Sequence, residues 1–228
     1  IDVPLDGGQT WTHPLLPISQ ETAGALQAFV DRLARAGCEL ASHSPLLPDL
    51  NLVAQTFMPL FMSTLGADME PAVYRQLEQV ARGLPADERG PDAMELRGLV
   101  LSHRDWLAAH RVRIRLMHEW RQLFQRWDVV VTPVLPTPAF AHDHTDMRTR
   151  RIEIDGQAFR YNQQAAWMAL PTLAGLPATA MPIGHGAASG LPIGVQAIGP
   201  FLEDLTPIRF AELCEREFGG FEAPPGLA

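Results

Sequence analysis

The residues of this chain that could do chemistry fall into three sets: histidines near acids, scattered serines, and arginines. "AHDHTDM" sets His142, His144 and Asp146 at alternate positions, so that on an extended segment all three would point the same way. Zinc needs three or four such ligands converging at about 2.0–2.2 Å. No complementary pair stands elsewhere, and neither Asp68 nor Glu95 is brought near by the sequence. A hydrogen-bonded polar loop is the expectation here, with a metal-dependent hydrolase centred on His142 and His144 as an alternative. His103, His110 and His118 lie on one side of a helical stretch. Their steps of about 10–12 Å along the axis are too long for a shared metal. With Arg104, Arg111 and Arg115 around them and Glu119 four residues after Arg115, they read as a solvated or interdomain face.

A nucleophile is harder to find. The chain has six serines and no G-x-S-x-G elbow, and Ser189 of "AASG" sits among small residues that suit a turn. All 18 basic residues are arginine. Arginine is too basic to shuttle protons, so any mechanism that needs a lysine within this chain is excluded. "GHGAASG" resembles a phosphate cradle in composition only, because it lacks the G-x-G-x-x-G or Walker spacing and the helix that should follow. Glu203 and Asp204 stand at a helix start, where the dipole alone favours negative charge.

The elements that would position these residues alternate in period. "SQETAGALQAFVDRLARA" places Leu26, Phe29, Val30 and Leu33 on one helical face, with Ser19 as N-cap and Gly37 as stop. Leu52 to Leu65 reads as a buried helix kinked by its proline, and Glu70 to Arg82 as a helix opened by Pro71 with Tyr74, Leu77, Val80 and Ala81 on one face. One long helix is expected over 91–127. Then "DVVVTP" reads as a strand buried on both faces, and Asp155-Gly156 in "RRIEIDGQAFRYN" as a type I′ hairpin. A helix over 163–174, strands in "PATAMPIG" and "LPIGVQAIG", and a last helix from Asp204 with Ile208, Ala211 and Cys214 on one face complete the pattern. The class is α/β, a mixed β-sheet flanked by helices. The chain divides into a helical part (1–90), the long helix (91–127), a sheet-forming core segment (128–218) and a loose tail (219–228), all within one domain portion.

Composition narrows the function. Hydrophobic residues are 46 % and charged ones 19 %, the net charge is −8 and the pI about 5.4, which argues against nucleic acid as a partner. No apolar run approaches the roughly 18 residues of a membrane span, and "IDVPLDGGQ" has neither the basic start nor the apolar stretch of a signal peptide, so a cytoplasmic location is expected. Cys38 and Cys214 are expected to be two buried structural thiols. The chain begins with Ile, as a trimmed or partial polypeptide would.

More specific than any single motif is the order "RWDVVVTPVLPTPAF", "GLPATAMPIG", "SGLPIGVQAIGP", "EDLTPIRFAELCE" over Trp120 to Glu217. It resembles the C-terminal half of the amidase signature family, whose members hydrolyse or transfer amide bonds in small molecules. The resemblance implies a nucleophilic serine, a second serine on a cis peptide and a lysine base, all in a Gly-Ser-rich stretch that this sequence does not contain. It therefore implies no catalytic residue in this chain, no cofactor and no metal. Its partners would be a small-molecule amide substrate and the N-terminal catalytic half of the same enzyme. Halving a continuous sheet would expose an apolar face, so a homo-oligomer is also expected. The substrate-pocket wall would be drawn from Thr132, Leu135, Tyr161 and Trp167, with Gln196 in a structural role. Where many relatives carry Asn before "GLP", this chain has Thr172, which puts a substrate contact there in doubt. A catalytically empty binding or regulatory module is the alternative.

Overall fold

The computed structural model describes residues 17–42, 44–88 and 90–223, so the expectations for the N-terminal stretch and the last five residues lie outside the described residues. The chain divides into two compact units, residues 48–119 and the segments on either side of them.

The flanking segments build the sheet. Helix α1 (Gln20–Arg35) starts where the sequence says: the Ser19 Oγ accepts from the Thr22 amide at 3.1 Å. The strands β1 (Val130–Pro133), β4 (Ala178–His185) and β5 (Pro192–Ile198) form a sheet in the order β1-β5-β4. Every described pairing in it is antiparallel, so the expected mixed pairing is not found among the described residues. Leu26, Phe29, Val30 and Leu33 of α1 are each at most 2 % exposed and pack with Val131, Ile193 and Val195 on one sheet face. Burial of each such side chain contributes about 1.5–3 kcal/mol.

The last helix, α7 (Leu205–Phe218), covers the same face through Phe210, Ala211, Cys214 and Phe218. Its buried side is rotated from the expected one, because Ile208 remains 51 % exposed while Pro207 is buried. On the opposite sheet face lie Thr132 and Gln196, which are register partners. That explains why β1 reads as an uninterrupted apolar run: both of its faces are covered.

Two irregular segments join the sheet. The hairpin β2 (Arg151–Ile154) and β3 (Gln157–Arg160) turns through Asp155 at φ 49° and Gly156 at φ 80°, the positive pair that a type I′ turn requires. The expected helix over 163–174 is instead a 3₁₀ helix (Tyr161–Ala166) followed by the short α6 (Ala169–Ala174). Pro171 supplies the reason. It has no N–H to give the Trp167 carbonyl, which accepts instead from the Gln196 side chain at 3.0 Å.

Residues 48–119 hold α2 (Leu50–Ala67), α3 (Pro71–Gly83), α4 (Pro91–Leu99) and the first part of α5 (His103–Leu123). The single helix expected over 91–127 is thus two. Ser102 breaks it by capping α5: its Oγ accepts from the Asp105 amide at 3.1 Å and donates to the Asp105 carboxylate at 2.7 Å. The apolar face expected on α3 is not buried, and Val80 is 51 % exposed.

α2 and α4 meet where Gly66 leaves no room for a side chain. A Cβ at Gly66 would lie 1.9 Å from the Leu99 carbonyl oxygen. Gly66→Ala is expected to destabilise the protein by about 1–3 kcal/mol. Gly83→Ala, where nothing lies within 4 Å, is expected to cost nothing. Denaturant midpoints of the two variants check the contrast, and equal midpoints would contradict it.

Candidate functional site

The exit of β1 is the best-organised polar region of the sheet. Gln196, 5 % exposed on β5, donates through Nε2 to Thr132 Oγ1 at 2.9 Å, to the Pro133 carbonyl at 3.2 Å and to the Trp167 carbonyl at 3.0 Å. One amide therefore ties the end of β1 to the start of α6. This is the structural role expected of a buried polar side chain, whose partners must be supplied by the fold.

The four residues expected in a pocket wall divide into two pairs. Thr132 and Trp167 are both 0 % exposed. Neither can touch a ligand from that position, and they serve as the support beneath the surface. Leu135, in the bend after β1, and Tyr161, at the start of the 3₁₀ helix, are half-buried. Tyr161 packs edge-on against Phe140 at 5.9 Å and lies under the Arg150 guanidinium at 5.7 Å. Phe140 comes from the same segment as Leu135, so the bend after β1 and the end of the hairpin meet.

Thr137 escapes sequence reasoning. Its hydroxyl is buried, and among the described residues no partner reaches it. A hydroxyl between two prolines gives no periodic signal. Thr172, in contrast, uses its hydroxyl on the Met168 carbonyl at 2.7 Å, a helix-internal bond.

The first turn of α1 gathers three loops around this region. The Ser19 amide donates to the Pro136 carbonyl at 2.8 Å, and the Gln20 amide to the Asp155 carboxylate at 3.0 Å. Glu21 accepts from the Ala188 and Ser189 amides at 2.9 and 2.7 Å. "GHGAASG" is thus an anion cradle after all, filled by the protein's own carboxylate. The Ser189 amide, foremost, holds the Glu21 carboxyl below its ordinary value. That stabilising contact is present above the unfolded carboxyl pKa and is lost as pH falls through the folded one.

His142 and His144 are exposed, with ring centroids 6.0 Å apart. Among the described residues, no group of three or more His, Cys, Asp or Glu is placed to hold a metal. Asp146 is engaged by Arg148, whose side chain and amide hold its carboxyl down to about 2.

The cysteines differ from the expected buried pair, because Cys38 is exposed and Cys214 is 8 % exposed. Burial pushes the Cys214 thiol up to about 11, with Cys38 adding and Arg32 opposing. One thiol is therefore expected to react with Ellman's reagent in the native protein, and two after unfolding. Two fast thiols in the native state would contradict the packing of α7. Because the folded thiol titrates above its unfolded value of about 8.5, stability falls as pH rises from there towards 11.

These elements define an α/β chain of a known kind. Residues 8–206 match the Amidase family. The chain belongs to the amidase signature family. It is 33 % identical over 120 residues to one component of the glutamyl-tRNA(Gln) amidotransferase of Anaeromyxobacter dehalogenans, a match covering 53 % of this chain and 23 % of that protein. Against the fatty acid amide hydrolase of Medicago truncatula it is 34 % identical over 128 residues, covering 53 % of this chain and 19 % of that one. Its fold superposes on a bacterial aryl acylamidase of the amidase signature family with a TM-score of 0.64 at 17 % identity, covering 92 % of this chain and 43 % of that chain. The chain thus spans less than half the length of these relatives. Among the described residues, no helix is long and apolar enough to cross a membrane.

Proposed function

We propose that this chain is the C-terminal portion of an amidase-signature hydrolase acting on carbon–nitrogen bonds of small molecules. The observation that carries the reading is the family match over residues 8–206 in a sequence without a single lysine. The reaction would proceed through an acyl-enzyme on a serine outside this chain. A lysine, also outside it, would take the proton of a cis serine, which in turn activates the nucleophile. Backbone amides beside that serine would stabilise the oxyanion.

The part assigned to this chain is shape. Leu135 and Tyr161 would line one wall of the substrate pocket, with Thr132, Trp167 and Gln196 holding that wall from beneath. Its partners would be the catalytic half of the same enzyme and a small amide, in the cytoplasm of a bacterium. No cofactor is required, since serine, serine and lysine supply the whole chemistry.

Complementation tests the reading. The chain is mixed with a separately expressed segment carrying the Ser-Ser-Lys core of the same protein, and amide hydrolysis is followed. Turnover is expected in the mixture, and turnover by the core segment alone at the same rate would overturn the role given to this chain.

A further inference from the structure

Residues of α1, α7 and the bend of β4 line an open pocket of about 280 Å³. This is at or below the roughly 300–1,000 Å³ of sites for drug-sized ligands, so its occupant would be small. Among the described residues the cavity has one permanent cation, Arg32. Its Cζ lies 5.6 Å from the centre of the Phe29 ring and 5.1 Å from that of Phe218. Those two rings meet edge to face at 6.1 Å. The guanidinium thus has an aromatic ring beside it on two sides.

A guanidinium carries five N–H donors. One donor nitrogen of Arg32, Nη2, meets the Ile183 carbonyl. That carbonyl is available because β4 bulges there: the register shifts between Pro182 and Gly184, and Gly184 takes φ +139°. Among the described residues nothing else accepts a hydrogen bond from Arg32, and no carboxylate pairs with it. Glu222, the one acid among the described residues lining the cavity, stays exposed on the tail and makes no ion pair with it. A half-buried cation beside two rings, with most of its donors unused among the described residues, is open to an anion from solution.

The geometry points to a binding site for a small organic carboxylate, paired with Arg32 and resting its apolar body on the Ile183 and Phe218 side of the cavity. The planar fork of arginine matches a carboxylate bidentately, and the surrounding rings and prolines reject a strongly hydrated ion. Lysine would not reproduce it, because an ammonium lacks the planar fork that meets a carboxylate bidentately. The site lies on the helix-covered face of the sheet, opposite Thr132 and Gln196, and it does not depend on the amidase reading.

Benzoate and its neutral counterpart benzyl alcohol test it, titrated into the 228-residue chain while amide resonances are followed. Benzoate is expected to shift the Ile183, Gly184 and Gly219 amides saturably, with benzyl alcohol at least about tenfold weaker. Arg32→Lys is expected to weaken benzoate about tenfold or more, and Glu222→Gln to bind it at least as tightly as the unchanged chain. Absence of saturable shifts, equal affinity for the alcohol, or unchanged affinity in Arg32→Lys would overturn the assignment. Should Arg32→Lys fail to fold, the acid-versus-alcohol comparison in the unchanged chain decides alone.

Discussion

Incubated alone with amide substrates, the chain is expected to release no amine or ammonia above the buffer rate. Removal of the nucleophile or of its base from a serine hydrolase costs about 10⁶-fold. Here five of the six serines take part in local structure. The Ser19 hydroxyl caps α1, Ser102 caps α5, Ser44 accepts from the Leu46 amide, and Ser63 donates to the Leu60 carbonyl. Ser189 accepts from the Leu191 amide in the loop that holds Glu21. Among the described residues no hydrogen bond joins a serine to a histidine, and the carboxylates beside Ser102 and Ser189 are held in structure, Asp105 in the cap of α5 and Glu21 in the loop cradle. Chromatographic detection of product from a panel of small amides checks the expectation. Steady hydrolysis that a serine reagent abolishes would show that one of these hydroxyls is a nucleophile.

The second large effect belongs to Gln196. Gln196→Leu keeps the size of the side chain and deletes a donor group shared by three buried oxygens. Thr132 Oγ1 still donates to the Pro133 carbonyl at 3.1 Å, and the Leu170 amide stays 3.4 Å from the Trp167 carbonyl. The loss is therefore smaller than three full desolvation penalties. At about 1–3 kcal/mol for each buried group left unsatisfied, the expected destabilisation is about 3 kcal/mol. For a chain of this length that corresponds to roughly 6–12 °C in Tm. Gln196→Glu should be worse at neutral pH, since a carboxylate would face three acceptors. It should recover as pH falls and the acid becomes a donor. Calorimetry of the three proteins measures this, and a Gln196→Leu variant with an unchanged Tm would show that the node at the β1 exit contributes nothing.

How much of this was legible in the sequence depends on how local the cause was. Ser19 and Gly37 bracket α1 because a cap and a stop act within one turn. Asp155-Gly156 fixes its hairpin for the same reason. Ser102 and Asp105 carry an equally local signal, but the apolar stripe running across both helices conceals it. The break at Pro171 is half local: the missing N–H is visible in the sequence, while the Gln196 side chain that takes over the Trp167 carbonyl comes from 29 residues away. Glu21 in its cradle depends on a loop 167 residues distant, which no spacing rule could anticipate.

The wall residues show the same division. Thr132 and Trp167 carry a polar and an aromatic group of the kind that pockets use. The burial of Thr132 follows from its pairing with β5, and the Trp167 backbone is tied to the same strand through Gln196, facts of the fold and not of the residue. Leu135 and Tyr161 keep accessible surface because they lie past the strand end and past the hairpin, where the backbone leaves the layer.

Covalent labelling of the whole protein with a fluorophosphonate, followed by peptide mapping, addresses the location of the chemistry most directly. The account predicts one modified serine, outside these 228 residues, with Ser19, Ser42, Ser44, Ser63, Ser102 and Ser189 untouched. A label on any of those six would contradict it.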